Sequence, residues 1–280
     1  MSFDTVVMVD WSGGNDRGAA PKQDAIWAAV VREGAALPSH YLRNRQVAAA
    51  WLAELCTLEL AAGRRVFIGF DFPFGYPAGF AQHLVGRPDP LALWDWMALH
   101  LHEGPKANNR FAVAAQINAR FPGIGPFWFN AGKVDYPDLP RKGRARHAHG
   151  MAEKRRCEHH AKGAFTCWQL GGAGSVGSQA MTGMAVLARL RTQFPRQISV
   201  WPFEPLRGAI ALVEVWPSLY AADVRAAMRP GDIKDEVQVR LLAQRIVAMQ
   251  GAGTLGAALE AVPMAARIEE GWIFGVSADD

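Results

Sequence analysis

The sequence predicts an α/β protein, a mixed sheet flanked by helices with a large, mostly helical insertion. Three observations predict it. Two apolar runs, Asp4–Trp11 and Val66–Asp71, each deliver an aspartate at the end of a strand and then enter a turn, Ser12-Gly13-Gly14 in one case and Pro73-Phe74-Gly75 in the other. Unbroken apolar runs of this length fit strands covered on both faces. Between them lie two further strand-like segments and one helix-like segment, so the order β-β-β-α-β is complete by residue 71. Beyond that point, over 72–195, the alternation lapses and helical patterns separated by Pro, Gly and aromatic residues take over.

Each element has a local reason. Asp24–Val31 is a second strand, Arg32-Glu33-Gly34 a turn, and Pro38–Arg43 a shorter third strand. Asn44 caps a helix to about Ala62, with Val47, Trp51, Leu55 and Leu58 at helical spacing and Gly63 as its stop. Residues 78–102 form two helical pieces, divided by Pro88 and Pro90. An apolar-faced helix follows Asn109. Phe165–Leu170 is extended or a strand, and Ser178 caps a helix over Gln179–Phe194. Ile198–Phe203 and Ala211–Trp216 read as a hairpin across a Pro-Leu-Arg-Gly turn. Helices then cover 217–228, 234–249 and 255–266, before an apolar tail over Trp272–Val276. The expected organisation is one domain over 1–280, with 72–195 as a lid or substrate-binding insertion. A structureless loop of that length is improbable in a compact domain.

Bulk properties narrow the class. A chain of 280 residues that is half apolar forms a full core without staples. Cys56, Cys157 and Cys167 are too few for a disulfide framework. The N-terminal stretch has no basic region of a signal peptide, and no apolar run nears the roughly 20 residues of a membrane span. A cytoplasmic protein without membrane contact is expected. The net charge of +4 is concentrated: 133–162 holds nine Lys and Arg against four acids, or +5, and leaves the remainder at −1. Such a segment suits nucleic acid or a phosphorylated small molecule, and equally a solvated basic loop.

The paired strand-end carboxylates carry the chemistry. Two acids at one sheet edge hold a divalent cation or share a proton. Taken singly, Asp71 also fits a turn cap. The first strand ending in Asp10 and a later one ending in Asp71 look like a ribonuclease H-like fold. The segments V-D-W-S-G, G-F-D-F-P-F-G-Y-P, E-V-W-P-S, K-D-E-V-Q and E-E-G-W-I, spread from Val9 to Gly275, resemble a bacterial family of RNase H-like proteins of uncharacterised function, predicted to be nucleases. The resemblance implies a metal-dependent nuclease or phosphoesterase. Mg²⁺ or Mn²⁺ would be held by Asp10, Asp71 and, from a late helix, Asp235. Glu236 is a substitute for Asp235, which also suits a helix N-terminus on dipole grounds. Many such enzymes carry a second acid one turn on, where this chain has Val239.

Other candidates surround this set. Glu214, in an apolar strand, needs a partner: the metal, or an arginine such as Arg240. Glu204 ends another strand. Ser12 and Gly13 belong to a turn that would bind phosphate in nucleotide-binding enzymes of the actin and sugar-kinase type, an alternative reading. Gly172–Gly177 fits G-x-G-x-x-G, and its backbone, with Ser175 and Gln179, would hold an anion or simply form a loop. Arg110 is placed to meet a phosphate or a core acid. His147, His149, Cys157, His159, His160 and Cys167 lack zinc-site spacing. A third reading is a non-catalytic interaction protein on the same fold.

Overall fold

Buried strands with local apolar runs dictate the architecture. The computed structural model describes residues 2–104 and 107–277. It is an α/β protein whose mixed sheet has seven strands: β1 (Thr5–Asp10), β2 (Ile26–Arg32), β3 (Ala35–Ala36), β4 (His40–Arg43), β5 (Val66–Phe70), β6 (Ile198–Val200) and β7 (Ile210–Glu214). The helices are α1 (Arg45–Ala61), α2 (Phe80–Val85), α3 (Pro90–His100), α4 (Arg110–Asn118), α5 (Arg156–His160), α6 (Val176–Gln193), α7 (Ala221–Ala227), α8 (Lys234–Gly251) and α9 (Leu255–Glu260). The chain divides into two compact units. One comprises residues up to Asp71, Leu190–Val262 and Ile273–Ser277; the other comprises Phe72–Arg189 and Pro263–Trp272. The second unit thus takes in most of the expected insertion and a later segment.

The first unit holds the sheet, in the order β3-β2-β1-β5-β7-β6, with β4 also on β2. β1, β5, β7 and β6 are parallel and β2 is antiparallel to β1. Glu33 and Gly34, both at positive φ, make the tight turn from β2 to β3. The expected third strand, Pro38–Arg43, is present as β4, His40–Arg43; a further two-residue strand, β3, precedes Pro38, which has no N–H for the ladder. Asn44 caps α1 by accepting from Gln46 N and Val47 N. α8 packs on β1 and β2. Beneath it, Met8, Val215 and Phe274 meet Leu242 and Ile246 around one small gap. Phe274 also lies edge-on to Phe67 and Trp201.

Glu59 on α1 is fully buried and answers three donors: Thr5 Oγ1 at 2.7 Å, Arg32 Nε at 2.9 Å and Arg64 Nε at 2.6 Å. Burial alone would raise its pKa, but the bonds from Arg64, Thr5 and Arg32 hold it below the ordinary value.

Several expectations are corrected. β6 and β7 run parallel, not as a hairpin. The linking segment folds back on β6 instead: Glu204 N donates to Val200 O, Gly208 N to Ser199 Oγ and Ile210 N to Gln197 O. The helix after Trp216 begins as a 3₁₀ turn, Pro217–Tyr220, and continues as α7. The helix expected over 255–266 stops at Glu260, and a single wide helical turn, Ala266–Glu270, follows Pro263.

In the second unit, Tyr76, Phe80, Phe127 and Trp168 form an aromatic core, with Tyr76 stacked on Trp168 at 5.0 Å. The wide turn grips the loop leading into α2. Glu269 accepts the amides of Gly79, Ala81 and Gln82, and Glu270 accepts those of Ala78 and Arg156. A side chain on Gly75 would lie 2.5 Å from the carbonyl oxygens of Glu269 and Glu270, so this approach needs glycine. α6 starts at Val176, two residues before the expected cap. Ser178 lies within it, accepting from Arg110 Nε at 2.8 Å and donating to Leu170 O at 2.6 Å. Among the described residues no helix is long and apolar enough to cross a membrane.

Candidate functional site

Strand register builds the site. β1 and β5 are adjacent and parallel, with Val9 opposite Phe70. One residue further along each chain stand Asp10 and Asp71, at the C-terminal edge where ligands of open α/β sheets bind. Their side chains are hydrogen-bonded to each other. Trp11 N donates to Asp71 Oδ1 at 2.6 Å. Trp11 itself is buried, with its ring edge-on to Phe70. The aromatic residue after Asp10 therefore anchors the backbone turn that holds Asp71.

Burial is the main force on both acids. It raises Asp10 well above the ordinary carboxylate value, and the charge of Asp71 raises it further, with smaller contributions from Asp235 and Asp24. Asp71 is pushed up to about 6, chiefly by burial. The bonds from Asp10 and from the Trp11 amide act in the opposite direction. Burial and mutual repulsion therefore make full ionisation of the pair unfavourable.

Asp235 reaches the same set from the first turn of α8. Burial raises its pKa too; the amide of Asp24 lowers it and the charge of Asp24 raises it. That amide donates to Asp235 Oδ2 at 2.7 Å. Asp24 is a residue that the sequence reading placed only at a strand start. Its φ of 58° is left-handed, a conformation Asp tolerates. No local pattern marks it, since its contact is 211 residues away in the sequence.

Each remaining candidate has its own setting. Glu214 is buried at the end of β7, opposite Phe70. Strand alternation sends it to the face shared with Val9 and Phe70, while Asp10 and Asp71 follow on the other. Arg240, considered as its partner, is exposed on α8. Glu204 accepts from Val200 N at 2.8 Å and pairs with Arg191 at 3.0 Å. Glu236 is half-buried beside Asp235, without an interaction that ties it to the pair. Ser12 and Gly13 lie in the turn after β1. Ser12 Oγ donates to Asp24 O at 2.8 Å and accepts from Gly14 N at 3.0 Å, while Arg45, nearly fully buried, donates to the carbonyls of Ser12 and Gly14. The Ser12 hydroxyl and the Gly14 amide are thus engaged within the loop.

Arg110, Ser175 and Gln179 belong to the second unit. Arg110 bonds Ser178 and Asn108 and lies over the Phe111 ring. The loop before α6 is fixed by packing: a Cβ on Gly177 would sit 2.5 Å from Cys167 O, and Gln169 Nε2 donates to the carbonyls of Gly171 and Ala173. No named strand leads into it, so the dinucleotide pattern lacks its structural context. Cys157 and Cys167 are buried and outside any disulfide, and burial raises Cys167 well above the ordinary thiol value. Of the cations in 133–162, Arg141, Arg146 and Arg155 pair with Asp135, Glu153 and Glu158. Lys133, Lys142, Arg144, Arg156 and Lys162 are exposed.

Among the described residues, no group of three or more His, Cys, Asp or Glu is arranged to hold a metal ion. Comparison with family models, with curated proteins and with solved structures gives no match.

Proposed function

We propose that this chain is a divalent-metal-dependent phosphoester hydrolase of the nuclease type, on an RNase H-like sheet. The observation that carries the reading is the Asp10–Asp71 pair: two acids from adjacent parallel strands, hydrogen-bonded to each other in a desolvating setting. Such a pair is unfavourable as it stands, and a hard cation relieves its repulsion better than a proton does. The donor set is all oxygen, which suits Mg²⁺ or Mn²⁺. The order β3-β2-β1-β5-β7 with β2 antiparallel supports the RNase H-like reading, with β6 as an additional edge.

Asp10 and Asp71 would hold the ion; Asp235 stands near enough for its charge to act on both, but the three are not arranged as a ligand group in this structure. When bound, the ion supplies a Lewis acid and lowers the pKa of its water. The protein's own groups orient the ligands. Trp11 N–H fixes Asp71 Oδ1 and the Asp24 amide fixes Asp235 Oδ2. The exposed cations of 133–162 suit a phosphate backbone as the partner, in nucleic acid rather than in a nucleotide.

Calorimetry with Mn²⁺, on the wild type and on Asp71→Asn, tests the proposal, together with Mn²⁺-dependent hydrolysis of single- and double-stranded DNA and RNA. Binding is expected in the wild type and lost in the variant. A wild type that takes up no Mn²⁺, with or without nucleic acid present, overturns the reading.

A further inference from the structure

We propose that Phe165 is a stacking platform for an unpaired base, which makes the partner of this protein single-stranded nucleic acid. The inference rests on the nucleic-acid reading above but not on its metal site. Every group that carries it lies within the second unit. Phe165 is 54 % exposed, and no other Phe, Trp or Tyr among the described residues is exposed. A lone apolar side chain on a surface is ordinary. The setting of this one argues for a ligand. A Cβ on Gly174 would lie 2.5 Å from Phe165 Cδ1, so one face of the ring rests on the glycine loop 171–174. Among the described residues no other ring packs on Phe165, and its exposure belongs to the opposite face. A ring supported on one side and open on the other can stack a base, and every base has a π-face to offer.

Groups suited to phosphates flank the ring. The turn just before it, closed by Ala164 N donating to Ala161 O at 2.9 Å, carries the exposed Lys162. Thr166 Oγ1 donates to Glu153 O at 2.8 Å, which brings Lys154 alongside. Neither lysine has an ion pair among the described residues, and the Glu153 carboxylate is taken by Arg146 at 3.0 Å. Beneath the ring, Gln169 Nε2 donates to the carbonyls of Gly171 and Ala173. In a planar trans peptide the N–H points opposite to the C=O, so the amides of Gly172 and Gly174 turn away from Gln169. Among the described residues neither amide donates a hydrogen bond. The charge and the donors therefore suit a polyanion, and the open ring separates one kind of polyanion from another. In a duplex the base faces are covered by their neighbours, whereas an unpaired strand can turn a base onto Phe165.

The test measures fluorescence anisotropy of a labelled oligothymidylate and of a labelled duplex, in chelator so that no metal ion enters the readout. It compares the wild type with Phe165→Ala, Phe165→Trp and Lys162→Ala, each checked for an unchanged melting temperature. Phe165→Ala is expected to bind the single strand about tenfold more weakly, with its salt dependence unchanged and its duplex affinity that of the wild type. Phe165→Trp should restore single-strand binding. Lys162→Ala should weaken both probes alike and reduce the slope of log affinity against log salt by about one. Wild-type affinity for the single strand in Phe165→Ala overturns the platform, as does an equal loss on single strand and duplex. A wild type that binds neither probe overturns both the platform and the nucleic-acid reading beneath it. The metal site stands or falls separately, on the Mn²⁺ calorimetry above.

Discussion

Replacing Asp71 by asparagine should stabilise the metal-free protein above neutral pH. The folded protein holds Asp71 at about 6 against an ordinary value of 3.8. Ionising it inside the fold therefore costs about 3 kcal/mol, at 1.36 kcal/mol for each tenfold step. Asparagine keeps the outline and removes the charge. The bond from the Trp11 amide, made at 2.6 Å to the anion, is already contained in that figure, and asparagine keeps an acceptor for it. The side chain retains some solvent contact, so the net gain is about 1–2 kcal/mol. In a protein of this size that corresponds to roughly 3–6 °C in melting temperature. A folded-state pKa above the ordinary one means that ionisation opposes folding. The penalty is complete above about 6 and fades as the pH falls toward 3.8. Thermal melts by circular dichroism in chelator, at pH 8 and pH 4, should show the variant ahead at pH 8 and level at pH 4. A variant that melts below the wild type at pH 8, or keeps the same lead at pH 4, refutes the account of a repelling, desolvated pair.

Two further outcomes concern packing and charge away from the pair. Glu59→Gln leaves Arg32 and Arg64 facing a neutral group and should lower stability at pH 7 by about 3 kcal/mol, read from the urea midpoint. Because Glu59 is held below its ordinary 4.5, its stabilisation is present above that value and lost as the pH falls beneath it, so the deficit should narrow in acid; an unchanged midpoint at pH 7 counts against the network. Gly183→Ala would set a methyl 2.3 Å from Phe72 Cζ, so it should cost about 1–3 kcal/mol even though alanine is the better helix former. Gly251→Ala, with open space around it, is the control, and equal effects at the two positions would contradict the close contact.

Much of the sheet was legible because buried strands advertise themselves locally. Thr5–Asp10 and Val66–Phe70 are short apolar runs with an acid at or just beyond the end, and both strands can be read from that pattern; the shared edge of Asp10 and Asp71 follows from their parallel pairing. Strand direction is another matter. A Pro-Leu-Arg-Gly segment suggests a hairpin, but the orientation of β6 against β7 depends on bonds such as Gly208 to Ser199 that no turn pattern encodes. Glu214 reads as a site candidate because an acid inside an apolar strand needs a partner. Which face it takes is set by the register of β7 against β5, a pairing between residues 144 positions apart. Asp24 stayed hidden for the same reason. Its chemistry lies in a backbone amide, and its partner is reached only when α8 packs on the sheet. Glu269 and Glu270 appear in a motif without an evident role. In the fold they answer the loop amides between Ala78 and Gln82, as well as the amide of Arg156.

The placement of Phe274 bears on how the protein is made. Its ring rests on Phe67 and Trp201, and its amide bonds Glu214 O, so it covers a sheet whose first strand begins at Thr5. On the ribosome, the strands through β5 emerge more than a hundred residues before β6, β7, α8 and this aromatic lid. Throughout that interval Phe67 lacks its cover and the right-hand neighbour of β5 is missing. A nascent chain of this design has to wait with a half-built sheet until its last third is made.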